Sequence, residues 1–334
     1  MFPRSPTLHP APSDFAGVIV APTVAHGGRL TPTFFAGSVV RAFAENLVVT
    51  NPPDTTLPEL PEASATGPLA AIYAELRALT GTPVVALIFR HLATHPGLLE
   101  EIWASLRPLM TSGVLQETAW RIASQSVPAG LVPPIGRDVQ TAIGLEPAAL
   151  PPILNAIDAY NRANPVNLLI MLSLLQRIKS DGAVQAMHAV PAKSVPAKTW
   201  APPAPVPQPL SLMIGPAGMA PPIRRLVNDI GFGDRRALDA VVPSLLRHLA
   251  GTPGLLAILH TILIPRLHDG SLRTATDALH AQMQAAAQEL AGCIGPLPRL
   301  AAMPAPVATM RTFTGSWIPL MTIVGTALGR ALRA

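Results

Sequence analysis

The chain has 334 residues, of which 49% are hydrophobic, 13% charged and 4% aromatic. Its apolar side chains are therefore mainly aliphatic and, with 39 prolines, this composition favours helices interrupted at prolines. The net charge of +5 is scattered along the chain, without a basic patch that has aromatic residues interleaved, so we expect no nucleic-acid partner. No apolar run reaches the roughly 18 to 20 residues of a membrane span. We expect no membrane partner and a cytoplasmic protein.

Cysteine and histidine usage argues against a metal centre. Cys293 is the single cysteine of the sequence, so an internal disulfide is excluded. The nine histidines form no recognised metal motif, and His91 and His248 occupy equivalent places in a repeated segment. For both we predict a structural role at a helix end. We expect neither a metal nor a cofactor.

The predicted elements, in chain order, begin with a Pro-rich extension of low order over residues 1–56. An apolar stripe at helical spacing predicts a helix over residues 68–79, and Pro83 predicts the first turn of a second helix. Further helices are predicted near residues 96–109, 112–125, 135–144, 147–160 and 165–180, and a last one from about residue 318. No stretch alternates with period two, so the predicted fold class is all-α.

One segment occurs twice in the chain. The motif Arg-His-Leu-Ala, two residues, Pro-Gly-Leu-Leu starts at Arg90 and again at Arg247, an offset of 247 − 90 = 157. We interpret this as two pseudo-repeat helical units, residues 57–186 and 222–334, joined by a Pro-rich linker over residues 187–221. Two such units packed together predict a cleft between them.

The two copies differ at a few polar positions. Asn164 precedes Pro165, and it is either the N-cap of a helix or a hydrogen-bonding group directed into the cleft. Ser244 precedes the second Arg-His motif and has the same two interpretations, a cap in a first helical turn or a hydroxyl directed at the cleft.

The order and spacing of these motifs resemble a known family. The matching stretches lie within residues 57–60, 72–75, 83–97, 103, 164–165 and 249–253. Over residues 57–334 the chain resembles the group I 2-haloacid dehalogenases, the DehI family. The resemblance implies hydrolytic removal of halide from short 2-halocarboxylic acids by direct attack of water. It implies that Asn164 positions that water and that Ser244 binds substrate.

The sequence departs from the family pattern at the site itself. Leu245 stands where the family has the aspartate that activates water, and Val84 and Leu87 stand where a tryptophan and a phenylalanine line its halide pocket. General-base catalysis typically contributes about a hundredfold to ten-thousandfold, so the leucine predicts a severely impaired reaction. Asp239, six residues earlier, is a candidate replacement base.

Three hypotheses therefore stand. The chain is a hydrolase acting on carbon-halide bonds, or a pseudoenzyme that binds a small organic acid or apolar molecule in the same cleft, or an all-α interaction protein. For the binder we expect Val84, Leu87 and Leu245 to give the cleft an apolar lining. The sequence leaves the oligomeric state open, with a homodimer among the options.

Overall fold

The structure, a computed structural model, describes residues 57–184, 200–232 and 242–334. This part of the chain is all-α and contains no strand, as predicted. The predicted extension over residues 1–56 and the linker residues 187–199 lie outside the described residues. The helices are α1 Gly67–Thr80, α2 Leu87–Leu92, α3 Leu98–Thr111, α4 Val114–Ser126, α5 Arg137–Ala142, α6 Leu150–Val184, α7 Pro221–Phe232, α8 Ser244–Leu249, α9 Pro253–His268, α10 Ser271–Ala291, α11 Pro298–Ala301, α12 Pro304–Thr312 and α13 Ile318–Ala331.

The core is built around α6, the longest helix described, with 35 residues. Helices α4, α10 and α13 pack against it. Its segment from Val166 to Leu174 is buried around the whole helix because other helices pack against it. This burial explains why the segment is apolar except for Asn167 and Ser173. None of the helices in the described ranges is both long and apolar enough to cross a membrane.

Helix α6 corrects one prediction, since the sequence indicated two helices with a break at Pro165. The helix continues through Pro165, and Asn164 therefore lies in its interior rather than at an N-cap. Proline removes one backbone hydrogen bond and crowds the preceding turn, which costs about 3 kcal/mol in an isolated helix. Here the burial of the residues that follow, from Val166 onward, offsets that cost.

The start of α2 corrects a second prediction. Pro83 does not begin a helix, because α2 begins at Leu87 after an extended Ala86 with φ −61° and ψ 144°. A side chain from upstream explains the delay. The Glu62 carboxylate accepts the amide proton of Val85 at 2.6 Å, which holds the chain between Pro83 and α2 outside the helix.

The helix bounds follow the offset seen in the sequence. Adding 157 to the bounds of α2, Leu87–Leu92, gives those of α8, Ser244–Leu249. Helices α4 and α10 are both preceded by a glycine in the left-handed region, Gly113 with φ 75° and Gly270 with φ 80°. A left-handed conformation is unfavourable for residues with a Cβ, so glycine is required at both positions.

Both Arg-His pairs hold an extended segment in the same manner. The carbonyl of Arg90 accepts the amide proton of Leu60 at 2.9 Å, and the carbonyl of Arg247 accepts that of Ile214 at 3.1 Å. The Nδ1 atoms of the two histidines lie 2.7 Å and 2.6 Å from carbonyl oxygens of the same two segments. The predicted structural role of His91 and His248 at helix ends is confirmed by these contacts.

Helix α13 packs against α6, and so joins residues of the two predicted repeats. The Asn161 amide donates to the carbonyl of Gly325 at 3.1 Å. A Cβ on Gly325 would lie 2.5 Å from the Asn161 side-chain oxygen, so the glycine allows this close approach. Residues of both halves are thereby fixed around a common space.

Candidate functional site

A cavity of ≈ 270 Å³ is lined by residues from both of the predicted repeats. Its first wall comes from residues 82–90 and from the middle of α6, and its second wall comes from residues 242–248 and from the chain leading into α13. Leu210 and Met213, from the extended segment before α7, contribute to its lining as well. Since an apolar cavity of about 150 Å³ is enough for benzene, this one can accept a small organic molecule.

The five site residues predicted from the sequence all line this cavity: Val84, Leu87, Asn164, Ser244 and Leu245. Val84 is 41% exposed, Leu87 is half-buried, and Leu245 is only 1% exposed. Leu245 packs beside Gly325, and its side chain would lie 3.1 Å from a Cβ at that position. The structure thus brings the predicted set together, while their roles stay predictions.

The polar groups of the α6 wall are two asparagines one turn apart. Asn164 is half-buried, Asn167 is 5% exposed, and both line the cavity. Because Asn164 lies inside a continuous helix, no free helix-end amides are available for it to cap. Among the described residues neither side chain has a hydrogen-bond partner. The capping interpretation of Asn164 is therefore wrong, and its amide remains available to a ligand.

Ser244 is the first residue of α8, next to Leu245. The residue before it, Pro243, supplies no side-chain cap to the helix, and the Ser244 hydroxyl lies beside the phenol of Tyr160. Within the described residues, the hydroxyl makes no capping hydrogen bond to the α8 backbone. The structure thus favours the second interpretation, a hydroxyl directed at the cleft.

Two charged side chains among the described residues line the cavity, and both are paired. One oxygen of Glu62 accepts the Val85 amide proton at 2.6 Å, and the other is bound to the guanidinium of Arg77. Arg90 lies 3.1 Å from the carboxylate of Glu59. Both charges therefore already have a partner of opposite sign, while the buried Nε of Arg90 has no hydrogen-bond partner among the described residues.

Tyr160 and His248 also line the cavity, and the sequence analysis did not assign them to the site. Their ring centroids are 5.6 Å apart with planes inclined by 56°. Burial raises the pKa of the Tyr160 phenol, against the smaller opposing effects of the Ser244 hydroxyl and of the arginines 247 and 90. Burial lowers the pKa of His248, although the Ser211 carbonyl partly opposes it. The phenol therefore stays protonated and the imidazole neutral near pH 7.

An aromatic pair, Phe313 and Trp317, lines the cavity before the start of α13. Phe313–Trp317 form one π-helical turn between α12 and α13, and the rings of Phe313 and Trp317 meet edge to face at 5.5 Å between centroids. Such turns are frequent at functional sites. The sequence held a usable signal, because two aromatic residues stand four apart in a chain with only 14 of them.

The described walls carry hydrogen-bonding groups but no carboxylate that is without partners. The carboxylate of Glu62 is engaged by two partners, and Leu245 supplies only methyl groups. Asp239, the predicted alternative base, lies outside the described residues. In the described ranges no group of three His, Cys, Asp or Glu residues could hold a metal ion.

The comparisons with known proteins resolve the fold. No family model and no curated protein matches the chain. Solved structures do match: a D-2-haloacid dehalogenase mutant has a TM-score of 0.62 at 16% identity, over 83% of this chain and 97% of that one. The fold is that of a haloacid dehalogenase. Two further structures bearing this name, a mutant with D-2-CPA and an enzyme with L-LA, give TM-scores of 0.58 and 0.56 at 14% and 16% identity. They cover 84% and 83% of this chain, and 96% and 94% of their own.

The haloacid dehalogenase fold agrees with the all-α class expected from the family resemblance. At 14–16% identity, the similarity of the structures shows the fold alone. The function has to be argued from the cavity.

Proposed function

We propose that this protein uses the cavity of a haloacid dehalogenase fold to bind a small, mainly apolar organic molecule without hydrolysing it. The observation that carries the proposal is the position of Leu245, buried in the cavity wall where the family places its general base. A leucine cannot take a proton from water, and the Glu62 carboxylate is already engaged by Arg77 and Val85.

The lining supports a ligand with an apolar body and a polar end. Val84, Leu87 and Leu245 supply aliphatic surface, and the aromatic pair of residues 313 and 317 adds a flat wall. Asn164, Asn167 and Ser244 provide hydrogen-bonding groups along one part of the lining. An apolar cavity with a few convergent polar groups is typical of small-molecule sites.

Both charges of the described walls already have a partner of opposite sign, which favours a neutral ligand, whereas a carboxylate finds one open donor there, the Nε of Arg90. A 2-halocarboxylic acid is ionised near pH 7, and burying its charge without a partner is costly. Arg90, the cation of the lining, is already paired with Glu59 at 3.1 Å.

Hydrolytic removal of halide from short 2-halocarboxylic acids is the second candidate function. It is favoured by Asn164 and Ser244, which correspond to the water-positioning and substrate-binding residues of the family and line the same cavity. In this chain the reaction needs a base other than residue 245, and Asp239 is the candidate outside the described residues.

Titration calorimetry with benzyl alcohol tests the binding function. We expect binding by the unaltered protein and its loss in Ala163→Phe, because the added ring fills the cavity from the middle of α6. Ala278→Phe, on an exposed face of α10, is the matched control and should bind as the unaltered protein does. The free energy of unfolding should rise in parallel, by about 2.7 kcal/mol when the free ligand concentration is a hundred times Kd.

Two results contradict the proposal. One is that the unaltered protein neither binds benzyl alcohol nor gains thermal stability in its presence. The other is that Ala163→Phe binds as tightly as Ala278→Phe, which would place any bound alcohol outside this cavity.

A further inference from the structure

The ring of His248 has one edge fixed by the backbone. Its Nδ1 lies 2.6 Å from the carbonyl oxygen of Ser211. A carbonyl oxygen only accepts hydrogen bonds, so Nδ1 carries the proton of the neutral ring. The Ser211 hydroxyl, at 3.2 Å from the same nitrogen, is the longer of the two contacts and does not alter this assignment.

The second nitrogen, Nε2, is then an acceptor with a lone pair. No group in residues 57–184, 200–232 or 242–334 makes a hydrogen bond to it. The side chain is 6% exposed and belongs to the cavity lining. Because the Nδ1 edge faces the extended segment, the edge that carries Nε2 is the one left for the cavity.

The other polar groups of the described lining either have partners or offer both donors and acceptors. Tyr160, whose ring lies 5.6 Å away between centroids, interacts with the Ser244 hydroxyl. The Glu62 carboxylate is engaged by Arg77 and Val85. The side-chain amides of Asn164 and Asn167 offer both donors and acceptors and therefore do not discriminate between ligands.

We propose that Nε2 of His248 accepts a hydrogen bond from the ligand, so that the cavity selects neutral molecules carrying a hydroxyl or N–H donor. The proposal rests on the binding function above and names its ligand class. An unsatisfied acceptor in a buried site loses free energy when the ligand offers no donor, which gives the preference its physical cause.

His91 serves as an internal control for the role proposed for His248. It occupies the equivalent place in the first half, and its Nδ1 lies 2.7 Å from the Pro58 carbonyl oxygen. Its ring is stacked edge to face on His95, and it does not line the cavity. Both histidines therefore share the structural contact, and only His248 combines it with a place in the lining.

The test uses nitrogen NMR of the full-length protein labelled with ¹⁵N-histidine, together with two matched probes. Benzyl alcohol carries a donor, whereas benzyl methyl ether has the same apolar body without one. We expect Nε2 of His248 to be unprotonated in the free protein and to shift when benzyl alcohol is added. His91 should not respond, and the shift should vanish in Ala163→Phe.

Calorimetry on the same pair gives the second readout. A single neutral hydrogen bond corresponds to about a three- to tenfold change in affinity, so the ether should bind that much more weakly. If the ether and the alcohol bind with equal affinity and the ¹⁵N signal of Nε2 does not shift, this proposal is wrong. The binding function is then still supported. Detection of the proton on Nε2 of His248 in the ligand-free protein would also show that the proposal is wrong. Failure of both probes to bind overturns the binding function together with this inference.

Discussion

Single side chains decide what this cavity can do. Leu245, Asn164 and Ser244 all line it, and the family resemblance implies a base at the first position and polar site residues at the other two. These three residues could be assigned from the sequence, because their place is defined by neighbouring motifs. Tyr160 and His248 could not, since nothing in their local sequence separates a cavity residue from a core residue. For His248, the equivalent His91 has the same neighbours and lies elsewhere.

The protonation of His248 gives a prediction on stability. Burial lowers the pKa of the folded-state ring below 6.5, so the unfolded chain takes up a proton first as the solution becomes acidic. The free energy of unfolding should therefore fall below about pH 6.5, by at most about 1.4 kcal/mol per pH unit for this group.

Urea denaturation between pH 7 and pH 5 measures this effect. We expect His248→Gln to have a shallower loss of stability with acid than the unaltered protein, because the substituted residue does not titrate. Parallel pH profiles of the two proteins would show that His248 does not carry the effect.

At the level of elements, the sequence predicted helices well wherever a pattern was local. The apolar stripe of α1 and the last helix from residue 318 are confirmed. The errors occurred at prolines, whose effect depends on distant groups. Pro165 is carried within α6 by surrounding helices, and Pro83 stays outside α2 because Glu62 binds the amide of Val85. The residues adjacent to each proline indicate neither the helices that pack around Pro165 nor the contact between Glu62 and Val85.

A pair of equivalent glycines tests how the extended segment before α7 is held. A Cβ on Gly113 would lie 2.2 Å from the ring of Trp200, whereas a Cβ on Gly270 would have nothing within 4 Å. Both have a positive φ, so an alanine at either costs about 1–2 kcal/mol for the left-handed conformation. Gly113→Ala must in addition displace the indole.

Chemical denaturation and tryptophan fluorescence check this prediction. We expect Gly113→Ala to be more destabilised than Gly270→Ala, by about 1–3 kcal/mol from overpacking, and to change the emission of Trp200. Equal losses of stability in the two variants, with unchanged emission, would mean that the contact between Trp200 and Gly113 is absent in solution.

At the scale of the whole molecule, the repeated motif was the most useful signal in the sequence. It predicted two halves with a cleft between them, and the described cavity is lined by residues 82–90 and 159–167 on one side and 242–248 and 313–321 on the other. The duplication itself remains an inference from the sequence, to which the matching bounds of α2 and α8 add weight. The aromatic pair Phe313 and Trp317 was not predicted as part of the site, because its spacing of four residues indicates a shared helix face but not the π-helical turn or the cavity.

On the proposed function, the protein has the fold of a haloacid dehalogenase but carries Leu245 where the family resemblance implies an aspartate as proton acceptor. Restoring a carboxylate at residue 245 should restore chemistry to a cavity that still holds Asn164 and Ser244. General-base catalysis contributes about a hundredfold to ten-thousandfold, so the change is measurable. Leu245→Asn, which has the same shape as the aspartate without its charge, is the control.

The most direct measurement is halide release from racemic 2-chloropropionate and 2-bromopropionate, with circular dichroism to verify that each protein is folded. The account predicts no release by the unaltered protein or by Leu245→Asn, and release by Leu245→Asp. Release of halide by the unaltered protein would contradict it, and would assign the role of base to another group, with Nε2 of His248 and Asp239 as the candidates.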